Sequence, residues 1–513
     1  MSTTREFGRI RSNIWPIHSF EVKKLVPMLV MLTLICFNYS ILRNLKDALV
    51  ITAKNSGAEV LPFIKVWVIL PAAVLSTMLF TYLSNKLSRS AVFQIILVSF
   101  LIFFFVFGFI IFPMREQLHP HAMADFLETV LPKGFMGLIA MFRHWTLTCF
   151  YVVCELWSTM ILNVLFWSFA NEITRIQEAP RFYSVMSIFS NIAAIVAGQT
   201  AIALSSEVFD PTLSFGHDAW EQSLMKIMAL IVASGIGVLL AFRWMNKHVL
   251  SNPKYLPKDA QEKVKKKEKK LSFRQSLVYL ANSNYLIWIA TLVISYNLVI
   301  NLVEVIWKDQ LRQYCTSSHD YNVYINNLTS IMGIISTSAS LVMAGMIRRF
   351  GWTFTALITP VVLLITTAGF FSCLFFDGSL GPILTMFFGI TPLALAVFLG
   401  STQNCFSKAA KYSVFDATKE MAFVPLTPEH KLKGKAAIDG IGSRLGKSGG
   451  SVIHQGLLIF FGTLSASAPY VGIILVGVMF VWIAAVRSLG TEFTKCLTGD
   501  QKHPDGEPEL TPA

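Results

Sequence analysis

Charge is what this chain of 513 residues has least of. Asp, Glu, Lys and Arg make up 14% of it, against about 25% in soluble domains. That shortfall excludes an ordinary soluble enzyme, which needs a charged surface. Cysteine is sparse as well: Cys36, Cys149, Cys154, Cys315, Cys373, Cys405 and Cys496 are scattered without a CxxC pair. Neither a disulfide framework nor a zinc site is expected. The polar start, MSTTREFGRIRSNIWPIHSFEVKK, leads into an apolar run with no small-residue cleavage site after it, so no signal peptide is read. No HxxxD, HExxH or DxxD-type metal pair is read in a loop, which leaves catalysis, such as a membrane transferase, without support.

What is present is apolar. Hydrophobic residues reach 54%, with 41 Phe, and they gather in runs long enough to cross a bilayer at roughly 20 residues each. Twelve such spans lie near 25–53, 59–83, 91–113, 141–172, 183–205, 223–243, 276–305, 326–347, 353–376, 383–405, 436–462 and 469–490. The class is an all-α membrane protein. One set of alternate loops holds Lys23, Lys24, Lys86, Arg89, Arg175, Arg181, Arg348, Arg349, Lys408, Lys411, Lys431, Lys433 and Lys435. The other holds mainly Lys54, Arg115, Lys133, Lys308 and Arg312. The bias toward positive inner loops puts the first set and both termini in the cytoplasm. It also accounts for the net charge of +13 without any nucleic-acid partner.

The run NKHVLSNPKYLPKDAQEKVKKKEKKLSFRQ divides the spans six and six. The divisions read are an N-terminal segment 1–24, a six-helix half 25–243, a basic cytoplasmic linker 244–275, a second half 276–490 and a disordered tail 491–513. The halves echo each other. Tyr39, Asn44-Leu45 and Asp47 recur as Tyr296, Asn301-Leu302 and Glu304 at identical offsets, and RFYSV after the fourth span matches KYSVF after the tenth. Two repeated six-helix lobes about a midplane cavity are the organisation of the major facilitator superfamily.

Ionisable groups interrupt these spans. Arg43, Lys46 and Asp47 stand in the first, Glu155 in the fourth, Glu304 in the seventh and Lys447 in the eleventh. Each costs about 2.5–3.5 kcal/mol at a helix centre, so it faces a bundle interior or a wet cavity. Arg43 and Lys46, three residues apart, share a helix face. Two readings stand: a cation-rich cavity for a multiply charged anion, or structural ion pairs in which Arg43 or Lys46 neutralises Asp47 or Glu155. The stretch GKSGG around Lys447 is not a nucleotide-hydrolysing loop, because GxxxxGK[ST] would need glycine where Ile441 stands and a preceding strand. Its glycines suit close helix packing or backbone approach to phosphate. Tyr151, Asn163 and Trp167 near Glu155 could hold a planar ring or simply pack, and His454 reads as a packed histidine.

The segments NYSILRNLKD, PFIKVW, VCELWS, LFWSFANEIT, NLVEVIWK, SKAAKYSVFDATKEMAF, GKAAID and LGKSGG together resemble the ATP/ADP antiporter family of plastids and obligate intracellular bacteria. The resemblance runs collinearly from about Phe37 to about Gly472. It implies twelve helices in a major-facilitator-like bundle in an inner membrane. It further implies exchange of ATP for ADP, with phosphate accompanying ADP in several members, and no cofactor. Four charges important in that family fall on Lys46, Glu155, Glu304 and Lys447. The expected roles are phosphate binding by Lys46, Lys447 and Arg43, charge coupling or ion pairing by Glu155, Glu304 and Asp47, and base contact by Tyr151 and Asn163. Proton-coupled transport of other nucleotides is the alternative. The partners expected are ATP, ADP, phosphate and the lipid bilayer, with no obligatory protein partner.

Overall fold

A computed structural model describes residues 15–175, 178–251, 283–426, 434–435, 438 and 442–498. Much of the basic linker, the start of the N-terminal segment and the end of the tail lie outside these residues, as do Lys431 and Lys433. Among the described residues twelve long helical stretches follow one another. In the first lobe they are α1 (Ser19–Ile51), α2 (Val60–Lys86), α3 (Arg89–Ile111), α4 (Trp145–Ile173), α5 (Ala179–Leu204) and α6 (Ala219–His248). The second lobe has α7 (Asn284–Tyr314), α8 (318–350), α9 (352–375), α10 (392–422), α11 (Ser443–Phe461) and α12 (Leu464–Thr498). Among the described residues nine helices are long and apolar enough to cross a membrane. Two of the others, α10 and α11, are diluted by Ser401-Thr402-Gln403-Asn404 and by Lys447, His454 and Gln455.

Local chemistry sets the helix starts. Ser88, Asp218, Ser283, Ser317 and Thr391 each accept a hydrogen bond from a backbone N–H of the first turn that follows, giving an acceptor to donors that would otherwise be orphaned. Between α8 and α9 the chain reverses at Gly351, whose φ of 80° glycine adopts without steric cost.

The helix α1 buries most of its residues, Leu25, Met28, Leu32, Ile35, Leu42 and Leu45 among them, with Val26 and Val30 left at the surface. Trp157 on α4 donates to Ile35 O (3.2 Å), and Asn38 donates to Ile231 O on α6 (3.0 Å). Its repeat partner α7 occupies the same inner position in the second lobe, packed against α10, α11 and α12.

Three readings of the sequence need correction. Lys308, placed in a loop, lies inside α7, and Lys408 and Lys411 lie inside α10. Hydropathy ends a span at its first charges, whereas these helices continue through theirs. For the same reason KYSVF does not follow the tenth helix but forms a π-helical stretch within it, Lys411–Phe415. RFYSV opens α5 instead. A π-helical stretch, Trp157–Phe166, also lies within α4.

The hydrogen bonds between the lobes gather toward one face, opposite the basic loops. Asn44 donates to Asn326 Oδ1 and Thr329 Oγ1 (both 2.9 Å), Gln199 to Ser330 (2.9 Å), Asn322 to Ser205 (2.8 Å) and Arg312 to Ile51 O (2.7 Å). Thr52 and Ser318 meet at 2.7 Å, and Gln455 on α11 donates to Pro62 O on α2 (2.8 Å). Gly198 lies against the Asn326 carbonyl and Gly134 against the α11 backbone, so a side chain at either would strike the other lobe. At the basic face, Lys24–Glu178 (2.6 Å) and Arg181–Glu21 (2.6 Å) join α1 to α5 within the first lobe. There, too, Leu70–Lys86 buries no residue at all. Among the described residues, the hydrogen bonds that join the lobes lie at the end opposite the basic loops.

Candidate functional site

Beside these lobe-to-lobe bonds, charged side chains of both lobes meet. Arg43, Lys46 and Asp47 come from α1, and the i, i+4 spacing of Arg43 and Asp47 aims both at the second lobe. Lys46 is sealed in: its ammonium lies 3.0 Å from Asp47 Oδ1 and 2.9 Å from Glu155 Oε1. It also sits 3.7 Å from the centroid of the Tyr151 ring, a cation–π contact. The Lys46 side chain is 4% exposed, whereas Glu155 is 36% exposed. Glu155 therefore runs from a dry lysine toward open space.

The other oxygen of Asp47 accepts from Lys308 of the second lobe at 2.8 Å, and Lys308 also lies 3.1 Å from Glu304, one turn earlier on α7. Asp47 and Glu304, the two acids at equivalent offsets in the repeat, thus bracket one lysine. Glu304 in turn draws Arg43 and Lys65 from the first lobe, each at 3.9 Å. Lys408 stands within its electrostatic reach.

Lys447 is different. It is exposed, yet within electrostatic reach of Glu155, Glu304 and Arg43, so it faces the same wet space. Its neighbours explain its position. Gly446 lets α11 press on the Ile294 carbonyl of α7, Gly450 packs on Asn301, and Gly449 fronts open space. Asn301 donates to the Lys447 carbonyl at 2.9 Å. The glycines of GKSGG therefore serve packing on two sides and leave the lysine on the third.

Arg43, Lys46, Lys65, Lys308, Lys408 and Lys447 thus gather around Asp47, Glu155 and Glu304, twice as many cations as acids. A surplus of buried positive charge is costly without a compensating anion. Of the two sequence readings, the ion pairing of Lys46 with Asp47 and Glu155 is present in the structure.

The remaining candidates are less central. Tyr151 is buried beneath Lys46, so its ring face is occupied in this conformation. Asn163 is exposed within the π-helical part of α4. His454 bonds to Leu302 O at 3.1 Å and packs. Sequence reasoning overlooked an HxxxD spacing at His121 and Asp125, where Asp125 is held by Arg143 at 2.6 Å.

Sequence reasoning missed three cations. Lys65 interrupts an apolar span and met the same criterion as Lys46. Lys308 and Lys408 carried no such signal once their helices had been ended too early. Lys65 lies in the π-helical Ile64–Ile69, while Glu155 and Lys408 immediately precede Trp157–Phe166 and Lys411–Phe415. Such wide turns are frequent at functional sites.

Comparison with known proteins bears on the family and the fold. A family model described as TLC ATP/ADP transporter matches residues 1–493. ADP,ATP carrier protein 1 of Chlamydia trachomatis is 44% identical over 497 residues, covering 96% of this chain and 93% of its own. ADP,ATP carrier protein 2, chloroplastic, of Arabidopsis thaliana is 40% identical, covering 96% of this chain and 78% of its own. Among solved structures, a bacterial homologue of the iron transporter ferroportin in its inward-facing state aligns with a TM-score of 0.54 at 13% identity, covering 94% of this chain and 99% of that one. A D-xylose–proton symporter gives 0.51 at 13%, covering 90% and 98%. At such identity these likenesses speak for the fold, a two-lobed major-facilitator-like bundle.

Proposed function

Because the chain belongs to the ATP/ADP transporter family, we propose that it is a membrane antiporter exchanging ATP for ADP by alternating access of its two lobes. The observation that carries this reading is the excess of cations over acids in the space between the lobes. Lys447, exposed and lacking a described acidic partner, takes the phosphates first, with Arg43 and Lys408 nearby. Phosphates then displace the half-exposed Glu155 and reach Lys46. Asn163, exposed on α4, is placed to meet the base. Tyr151 becomes available for stacking only after Lys46 turns to the ligand.

Exchange rather than one-way uptake follows from the same charge. Closing a vacant chamber would enclose several uncompensated cations, at a cost of several kcal/mol per ion. A nucleotide with three or four negative charges removes that cost. ATP carries about one more charge than ADP, and one charge crossing 100 mV is worth about 2.3 kcal/mol. Carrying phosphate with ADP offsets the difference. The acids of the site are engaged with lysines, Glu155 with Lys46 and Glu304 with Lys308, which speaks against proton carriage by either.

The setting is an inner membrane with both termini and the basic loops in the cytoplasm. The two lobes are the units 25–243 and 276–490, joined by the cytoplasmic linker. On that orientation the conformation described is open to the cytoplasm.

The test is counter-exchange in proteoliposomes: labelled ATP outside, with ADP, ADP plus phosphate, other nucleotides or buffer inside. Uptake should require internal adenine nucleotide. Equal uptake into nucleotide-free vesicles under a pH gradient would overturn antiport in favour of proton coupling.

A further inference from the structure

The contact between Asp47 and Lys308 has no role in binding as described so far, yet its placement is unusual. It joins the lobes at 2.8 Å, shorter than Arg43–Glu304 and Lys65–Glu304 at 3.9 Å. Both side chains are 3% exposed. It lies at the floor of the open space, on the border of the shut end, where Arg312 and Ile51, then Thr52 and Ser318, continue the seam one turn further. When the shut end opens, this bond must break. A buried ion pair that loses one member normally strands the other at a cost of about 3–5 kcal/mol. Here neither is stranded. Asp47 keeps Lys46 at 3.0 Å within its own lobe, and Lys308 keeps Glu304 at 3.1 Å on its own helix.

We propose that Lys308 is a gating residue, a latch that holds the lobes together opposite the basic loops by pairing with Asp47 and releases them when each partner falls back on its own lobe. The inference rests on the alternating-access reading but not on which solute is carried. Lys308 acts through Asp47 and positions the lobes; Lys447 and its neighbours bind. The bond is charge-assisted and dry, so its loss moves the balance between shut and open by about tenfold. Lys46 and Glu304 set how readily the latch lets go.

The test reads the gate itself. Thr52→Cys with Ser318→Cys places two thiols where hydroxyls now touch at 2.7 Å, within reach of a disulfide. In reconstituted full-length protein without nucleotide, this pair should cross-link rapidly under mild oxidation. In a background whose seven native cysteines are replaced by serine, adding Lys308→Gln should slow cross-linking about tenfold and raise labelling of a single Thr52→Cys by a membrane-impermeant maleimide to a similar extent. Asp47→Asn, nearly isosteric and leaving Lys308 its Glu304 partner, should act in the same direction, and Lys308→Arg should restore most of the cross-linking. A merely structural lysine would lower protein yield without a side-specific change in labelling. Unchanged cross-linking and labelling in both Lys308→Gln and Asp47→Asn would overturn the latch. Because no nucleotide is present, a failed exchange assay and a failed latch remain separate results.

Discussion

Lys46 and Lys447 are the same side chain in two contrasting settings within one site. Lys46 is dry, bonded to two acids and covered by a ring; Lys447 stands in the open with its backbone, not its ammonium, fixed by Asn301. The first has a structural partner in the resting protein and the second has electrostatic neighbours only. An intramembrane lysine is therefore not a single kind of evidence: what distinguishes a holding charge from a waiting one is whether its neighbours already satisfy it.

The sharpest way to break this contrast is to remove each lysine. Lys46→Ala leaves Asp47 with Lys308 alone and Glu155 without its lysine, and should destabilise the protein by about 1–3 kcal/mol, seen as a drop in thermal midpoint together with loss of exchange. Lys447→Ala should leave the thermal midpoint nearly unchanged while raising the apparent KM for ATP roughly 10–100-fold, the loss of a charged hydrogen bond worth about 1.5–3 kcal/mol. Equal stability losses in the two variants would show that the contrast is false.

A second comparison, between the end where the lobes bond and the basic face, gives smaller effects. Asn44→Ala removes two lobe-to-lobe bonds and should shift the gate toward opening by about 1 kcal/mol, read as several-fold higher maleimide labelling at Thr52→Cys. Smallest is a pH effect on the shut side. His119 is held down to about 4 from 6.5, first by burial and then by His144, His121 and Arg115. It stays neutral in the fold but charges in the unfolded chain below about 6.5. Its contribution is thus complete above that pH and lost as pH falls from 6.5 toward 4. Between pH 7 and 6 the loss should be under about 1 kcal/mol, and His119→Gln should flatten that slope in thermal melts.

How much of this could be read from the sequence follows from the range of each interaction. The spans were legible because a bilayer demands apolar length, and Asp47 and Glu155 were legible as partners of Lys46 because all three interrupt such runs. The ends of α7 and α10 were not, since hydropathy treats Lys308 and Lys408 as loop residues until their acids are placed beside them. The π-helical turns leave no trace in periodicity over so few residues. Asn44 with Asn326, distant in sequence, is set only by how the lobes dock.

The seam of amides and hydroxyls between the lobes also bears on heat. Exposing apolar surface raises heat capacity, whereas exposing polar surface lowers it. A gate closed by Asn44, Gln199, Asn322 and Ser330 together with small apolar contacts opens with these contributions opposed. The ratio of its two open forms should then drift little between cool and warm conditions, where a purely greasy closure would tighten and loosen with every degree.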